Sequence, residues 1–549
     1  MNIRIRHAVA ATLLLGAAGS ASAFDITTYG GTPLYVGGST AIDKALLAFF
    51  EQAADTTSPC VTTDPVGNPI DVYTGTQGGS KFVAVACTAN TANTGAVADG
   101  AGHIVFVKED NGGSGNGIAG VGAPGGTPLT FPKISDLTIA PTASPNCDTA
   151  AKAAVAGVTA AFNTHSCASG YGTIAAQLAN FGFADVEAAL FNLDPTALDL
   201  TAQSTIDIVF APAVSLGLYH ALQKAQGLPQ DDLTADIPSL TTATLSSIFT
   251  GKETSWLNIT DTNGAISAQT SIQFGVSGGA AHEFNGGAPG TPASAKVFLC
   301  RRDFNSGTEK TSEVVFGNNN CESGNVGFRS DGAGDPGSTW VQPASITTAA
   351  NTFSGASTGA VLNCLQGMDQ LGGLAIGFAS VDNGWGSKGT TSGTTGIGTQ
   401  DFRYVKVDGQ VSSIENAASG KYKYWAQSLM YLPGAGAGHN KAAGDALVVQ
   451  NFLTGVTSAA AGIGSAVAIG ALDVSNQWTN GPTWDGGVVA IPGNVGNVVN
   501  APTATLTTFR GNPVNDFVKA NGGTNNCQIP VAAPATKIGS SGTVTWSSP

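Results

Sequence analysis

Twice in this chain an apolar run passes straight into a turn of glycine and hydroxyl residues and then into a helical pattern, which restricts how the backbone can be laid down. The first unit is Leu34-Tyr35-Val36, then Gly37-Gly38-Ser39-Thr40, then a helix predicted over 41–52 with Ile42, Ala45, Leu46 and Phe49 on one face. The second is a strand predicted over 295–299, then Cys300-Arg301-Arg302-Asp303-Phe304-Asn305-Ser306-Gly307-Thr308-Glu309-Lys310, then the first turns of a helix at 311–316. Strands are also predicted at 103–107, 206–211, 374–378 and 428–432. Helices are predicted at 149–163, 173–180, 215–226, 242–249, 360–371 and 441–453, turns at 111–117 and 181–185, and a surface loop at 383–400. Strands alternating with helices without a regular repeat indicate an α/β fold.

The second unit has chemistry as well as shape. A strand ending in arginine and a Ser-Gly-Thr turn opening a helix gather a guanidinium, two hydroxyls and several unpaired backbone N–H groups around one point, a candidate anion site. The same residues read equally as a capping box of Ser306 with Glu309 beside a solvated Arg302. Thr40 reads equally as a simple N-cap, and Asp185 as an aspartate capping a helix that begins at Val186.

Arg4 and Arg6, an apolar stretch over 8–18 and Ala21-Ser22-Ala23 predict a secretory signal peptide over 1–23, cleaved after Ala23. A periplasmic or secreted protein with no membrane span follows. The remainder of the 549 residues far exceeds one domain of ~100–200 residues, so at least two lobes are expected. Eight cysteines in an exported chain without a C-x-x-C spacing point to disulfides. Cys60 with Cys87 and Cys147 with Cys167 are plausible neighbour pairs. His103, His165, His220, His282 and His439 show no metal spacing and read as structural or surface residues, so neither metal nor cofactor is expected.

The formal charge of −14 becomes more negative once Arg4 and Arg6 leave, which disfavours nucleic acid and removes long-range steering of anions. An anion bound here has to be held by local, desolvated donors. Only 11% of residues are charged while glycine reaches 74, which suggests long neutral loops; the 42% hydrophobic content argues for a packed core over disorder.

In this order the pieces resemble the phosphate-binding protein of bacterial ABC phosphate importers, a type II two-lobed periplasmic-binding-protein-like family. The resemblance runs through Val36-Gly37-Gly38-Ser39-Thr40-Ala41, Gly112-Gly113-Ser114-Gly115, Phe181-Gly182-Phe183-Ala184-Asp185, the stretch from Leu245 to Gly251-Lys252 with Trp256, and Arg301-Arg302-Asp303-Phe304-Asn305-Ser306-Gly307-Thr308. It spans most of the chain but is interrupted. About 70 residues separate Ser114 from Asp185 where the family has a short helix. Phe304 replaces the family's arginine-pairing aspartate, leaving open whether Asp303 takes that role, and Ala41 replaces an aromatic residue.

The resemblance implies an α/β two-lobed fold enlarged by Gly/Thr/Asn-rich insertions near 56–102 and 121–172. One lobe would comprise 24–205 and 425–549, the other 206–424. It implies that Thr40, the Ala41 amide, Ser114, Ser306, Gly307 and Thr308 donate to phosphate or a related oxyanion, that Arg302 supplies the opposite charge, and that Asp185 accepts the ligand's proton and so rejects sulfate. A monomer serving an ABC permease, with no enzymatic activity, is expected. The alternative is a phosphate-binding-like surface or matrix protein whose insertions contact proteins or polymers. A secreted phosphatase is disfavoured by the lack of clustered metal ligands, of a Gly-x-Ser-x-Gly elbow and of a base near Ser306 in sequence.

Overall fold

The computed structural model describes residues 25–440 other than 44–49, 51–59, 61–69, 78–79, 90–100, 111, 140–145, 149–161, 169, 231–235, 275–288, 318–339, 382, 384–401, 414–415 and 418–419, together with 488–489, 517–519 and 530–532. These residues form a mixed α/β molecule built on a 13-stranded sheet. Its first strands are β1 (Leu34–Gly38), β2 (Ile70–Gln77), β3 (Ser80–Thr88), β4 (His103–Glu109), β5 (Phe162–Cys167), β6 (Phe181–Ala184) and β7 (Leu200–Ser215). Then come β8 (Val297–Arg302), β9 (Thr352–Gly355), β10 (Leu374–Ser380), β11 (Phe402–Tyr404) and β12 (Trp425–Pro433). The helices are α1 (Gly113–Ala119), α2 (Leu216–Ala225), α3 (Thr242–Phe249), α4 (Gly307–Phe316) and α5 (Thr358–Gln370).

The main path of the sheet is β9-β8-β10-β7-β12-β6-β1-β4-β3-β2-β5. It contains two parallel triplets. In one, β1 lies between β4 and β6; in the other, β8 lies between β9 and β10. Between the triplets run two antiparallel strands: β12 pairs with β6 and β7, and β7 pairs onward with β10. Every residue of β8 and β10 is buried, as expected of parallel strands covered on both faces, which is why both read as near-continuous apolar runs.

Beyond β4 the insertion adds an antiparallel hairpin, β3 with β2, and then β5 parallel to β2. The disulfides Cys60–Cys87 and Cys147–Cys167 tie these added strands down. A third disulfide, Cys300–Cys364, joins β8 to α5; Cys321 and Cys527 lie outside the described residues.

Three sequence expectations are corrected. Residues 113–119 form a short helix rather than a glycine-rich loop. Residues 173–180 are not helical: despite their alanine content they run extended, bridging from Thr173 to Pro132 and from Gln177 to Leu129. Phe181–Ala184, read as a turn, is a buried strand. The predicted signal peptide, most of the helix at 149–163, the helix at 441–453 and nearly all of the 383–400 loop lie outside the described residues. Among those described, no helix is long and apolar enough to cross a membrane.

Candidate functional site

Parallel strands end on the same side of a sheet, and ligands of open α/β sheets bind at the carboxyl ends of the strands. In the first triplet, β1 ends at Gly38 and delivers Ser39, β4 leads through Asp110 to Ser114, and β6 delivers Asp185. In the second, β8 ends at Arg302, opposite Gly355 at the end of β9. Ser39, Asp110 leading to Ser114, Asp185 and Arg302 therefore all lie at or just beyond strand ends.

On the first wall, Asp185 is 2% exposed. The Ser39 hydroxyl donates to Asp185 Oδ1 and accepts from the Ala41 amide at 3.1 Å. Ser39, not Thr40, is thus the residue that caps this turn, and the Ala41 amide is already engaged. Thr40 is half-buried beside it. Ser114 Oγ accepts from the Asp185 amide at 3.1 Å. Burial pushes the Asp185 carboxyl above the usual carboxylate range, outweighing the downward pull of Ser39, Arg302, Ser114 and Lys108.

On the second wall, Ser306 caps α4, accepting from the Glu309 amide at 3.5 Å, so the capping alternative is realised in its backbone half. The Glu309 carboxylate does not fold back to complete the box; it pairs with Arg301 Nη1 at 2.5 Å. Arg302, 4% exposed, is held by neutral oxygens: Nε donates to Gly355 O at 3.3 Å, Nη1 to Thr358 Oγ1 at 3.0 Å and Nη2 to Ala356 O at 3.0 Å. Asp303 does not pair with it; its own amide donates to Gly355 O. Phe304 is half exposed at the tip of the turn.

The two walls touch. The Gly115 amide donates to Asn305 O at 2.9 Å. A Cβ on Gly113 would come within 3.5 Å of Ser306 Cα and 3.7 Å of Arg302 Nη2. At Gly307 a methyl group would overlap Ser114 Oγ together with Asp185 Cβ and Oδ2, so only glycine permits this approach. Residues 39, 114, 185, 302 and 306–308, scattered over some 270 positions, thus gather at one place. Ser306, Gly307 and Thr308 are all buried there.

Sequence reasoning missed Ser39, because Ser39-Thr40 offers two adjacent hydroxyls and nothing local decides which one caps. It also missed Thr358 and the carbonyls of Gly355 and Ala356, whose link to Arg302 depends on strand pairing across 53 to 56 residues. No group of three metal-ligating side chains occurs among the described residues.

No family model and no curated protein matches the chain. Among solved structures it is similar to PstS from Borrelia burgdorferi, at 13% identity over 50% of this chain and 73% of that one, with a TM-score of 0.24. An ABC-type phosphate transport receptor from Vibrio cholerae matches at 13% identity, over 50% and 74% of the chains, with a TM-score of 0.26. A putative phosphate ABC transporter substrate-binding protein with bound phosphate, from Clostridium perfringens, matches at 16%, over 50% and 72%, with a TM-score of 0.26. These are distant likenesses.

Proposed function

We propose that this chain is an exported solute-binding protein that captures phosphate between two lobes, 24–205 with 425–549 and 206–424, for an ABC-type importer. The observation that carries the reading is Arg302: a buried guanidinium whose hydrogen-bond partners are all neutral. A buried charge in such surroundings favours an anion, since each hydrogen bond to an ionised group contributes about 1.5–3 kcal/mol. The N-terminus of α4 adds roughly 0.3–1 kcal/mol for negative charge.

Ser114, Ser306, Gly307 and Thr308 are the donors, with Thr40 and Ala41 at the edge of the first wall and Ser39 holding Asp185 in place. Asp185 selects among anions. A ligand that brings a proton can share it with this carboxyl, as phosphate does, whereas sulfate has none to offer. Binding rather than catalysis is the role we assign to these groups. Export is in keeping with three disulfides among the described residues.

Calorimetric titration of phosphate and of sulfate into the full chain tests the reading. Saturable binding of phosphate without sulfate is expected, with Asp185→Asn narrowing the gap. Equal affinity for the two anions in the unaltered protein would remove it.

A further inference from the structure

Behind the first wall lies a second buried carboxyl that phosphate capture does not use. Asp110 follows β4 directly and is 7% exposed. Its Oδ1 accepts from the Lys81 amide at 2.6 Å, whereas its buried Oδ2 has no hydrogen-bond partner. Its backbone oxygen accepts from the Gly113 amide at 2.9 Å, which fixes the start of α1 that carries Ser114 beside Asp185.

Among the described residues, the charged groups around Asp110 are Lys108, two residues before it on β4, Lys81 on β3, and Asp43, which follows the turn after β1. Lys108, 2% exposed, is committed elsewhere, to Asp43 Oδ1 at 2.7 Å and to Gly38 O at 3.1 Å. It is also an electrostatic neighbour of Asp185. Three carboxyls, Asp43, Asp110 and Asp185, therefore share one buried ammonium, with Arg302 the further cation acting on Asp185. Such a cluster is most stable when one carboxyl is neutral. Asp185 has Ser39, and Asp43 Oδ1, though without a hydrogen bond of its own, lies 2.7 Å from the Lys108 ammonium; Asp110 Oδ2 has neither a hydrogen bond nor an ion pair.

We propose that Asp110 is a proton switch whose protonation state is coupled to occupancy of the anion site. The proposal rests on the phosphate-binding reading. Burial, the first cause, pushes the Asp110 carboxyl up to about 6, against the pull of Lys108. An anion arriving on the other side of the 112–115 turn makes a second negative charge at Asp110 less favourable. Its proton affinity rises further, and binding takes up a proton at neutral pH. Asp110 and Asp185 both feel the Lys108 ammonium, so the coupling belongs to the two carboxyls together.

Calorimetry with inorganic phosphate at pH 7, in buffers of different ionisation enthalpy, counts the protons exchanged. Asp110→Asn is the informative variant, because its side-chain oxygen keeps the bond to the Lys81 amide while the charge is lost. Phosphate's own protonation is common to both proteins and cancels in the difference. The full chain is expected to take up on the order of half a proton more per phosphate than Asp110→Asn. The variant is expected to bind roughly threefold to tenfold more tightly at pH 7.5, the advantage disappearing near pH 5. Equal proton counts with phosphate still bound would overturn the switch and leave phosphate capture standing. Failure of both proteins to bind phosphate would remove the underlying reading. Independently of ligand, the Asp110 carboxyl observed by carbon NMR is expected to titrate well above the ordinary aspartate range, and a midpoint near 4 would also overturn the switch.

Discussion

Arg301 and Arg302 are consecutive residues at the end of one strand, 3% and 4% exposed, yet their surroundings differ in kind. Arg301 points to the face where Glu309 neutralises it at 2.5 Å, and the pair locks β8 to α4. Arg302, on the other face as strand alternation requires, meets only neutral oxygens at the end of β9 and the start of α5. The same side chain at the same depth is structural where the fold provides its counter-charge; on the proposed function it is left to a guest to provide one for Arg302.

The largest effects should come from removing these charges. Arg301→Ala removes the cation paired with the buried Glu309 carboxylate and should cost about 3–5 kcal/mol of stability in urea unfolding. Arg302→Ala removes a charge with no partner carboxylate in contact and should cost clearly less stability; equal losses would break the contrast. Gly307→Ala comes next. A methyl group overlapping Ser114 and Asp185 should hold the walls apart and weaken phosphate binding by about 1–3 kcal/mol, read by calorimetry. Unchanged affinity there would mean that the contact between the walls does not matter for capture.

Ser306→Ala should have a smaller effect, about 1 kcal/mol of stability from the lost cap of α4. Its effect on affinity sharpens the comparison, since a loss beyond the cap's worth would place the hydroxyl on the ligand rather than on the helix alone. Thr358→Val probes Arg302 from behind by removing one of its three holders, and a fewfold loss of affinity with stability nearly intact is expected.

Much of the fold was legible because its strands are continuous apolar runs bounded by turn residues; the helix predicted over 242–249 is Thr242–Phe249 in the structure. The strand–turn–helix around Arg302 was legible for the same reason, as were two of the disulfides, whose partners are close in sequence. What failed did so where tertiary contacts override local preference. Residues 113–119 carry three glycines and would be poor helix formers alone. The helix needs them, since a Cβ on Gly117 would overlap the Phe183 carbonyl of the adjoining strand. The alanine-rich 173–180 segment is extended because the 129–132 chain offers it backbone partners. Cys300 with Cys364, 64 residues apart, and the oxygens around Arg302 depend on the order of strands in the sheet, which local pattern does not encode.

The most direct measurement is phosphate titration by calorimetry into Arg302→Ala and Arg301→Ala side by side, with each variant shown to be folded at the temperature used. Loss of about 2–5 kcal/mol of binding in Arg302→Ala, with Arg301→Ala close to the unaltered protein, is the expected result. Phosphate affinity undiminished in Arg302→Ala would contradict the assignment of that guanidinium as the charge that holds the anion.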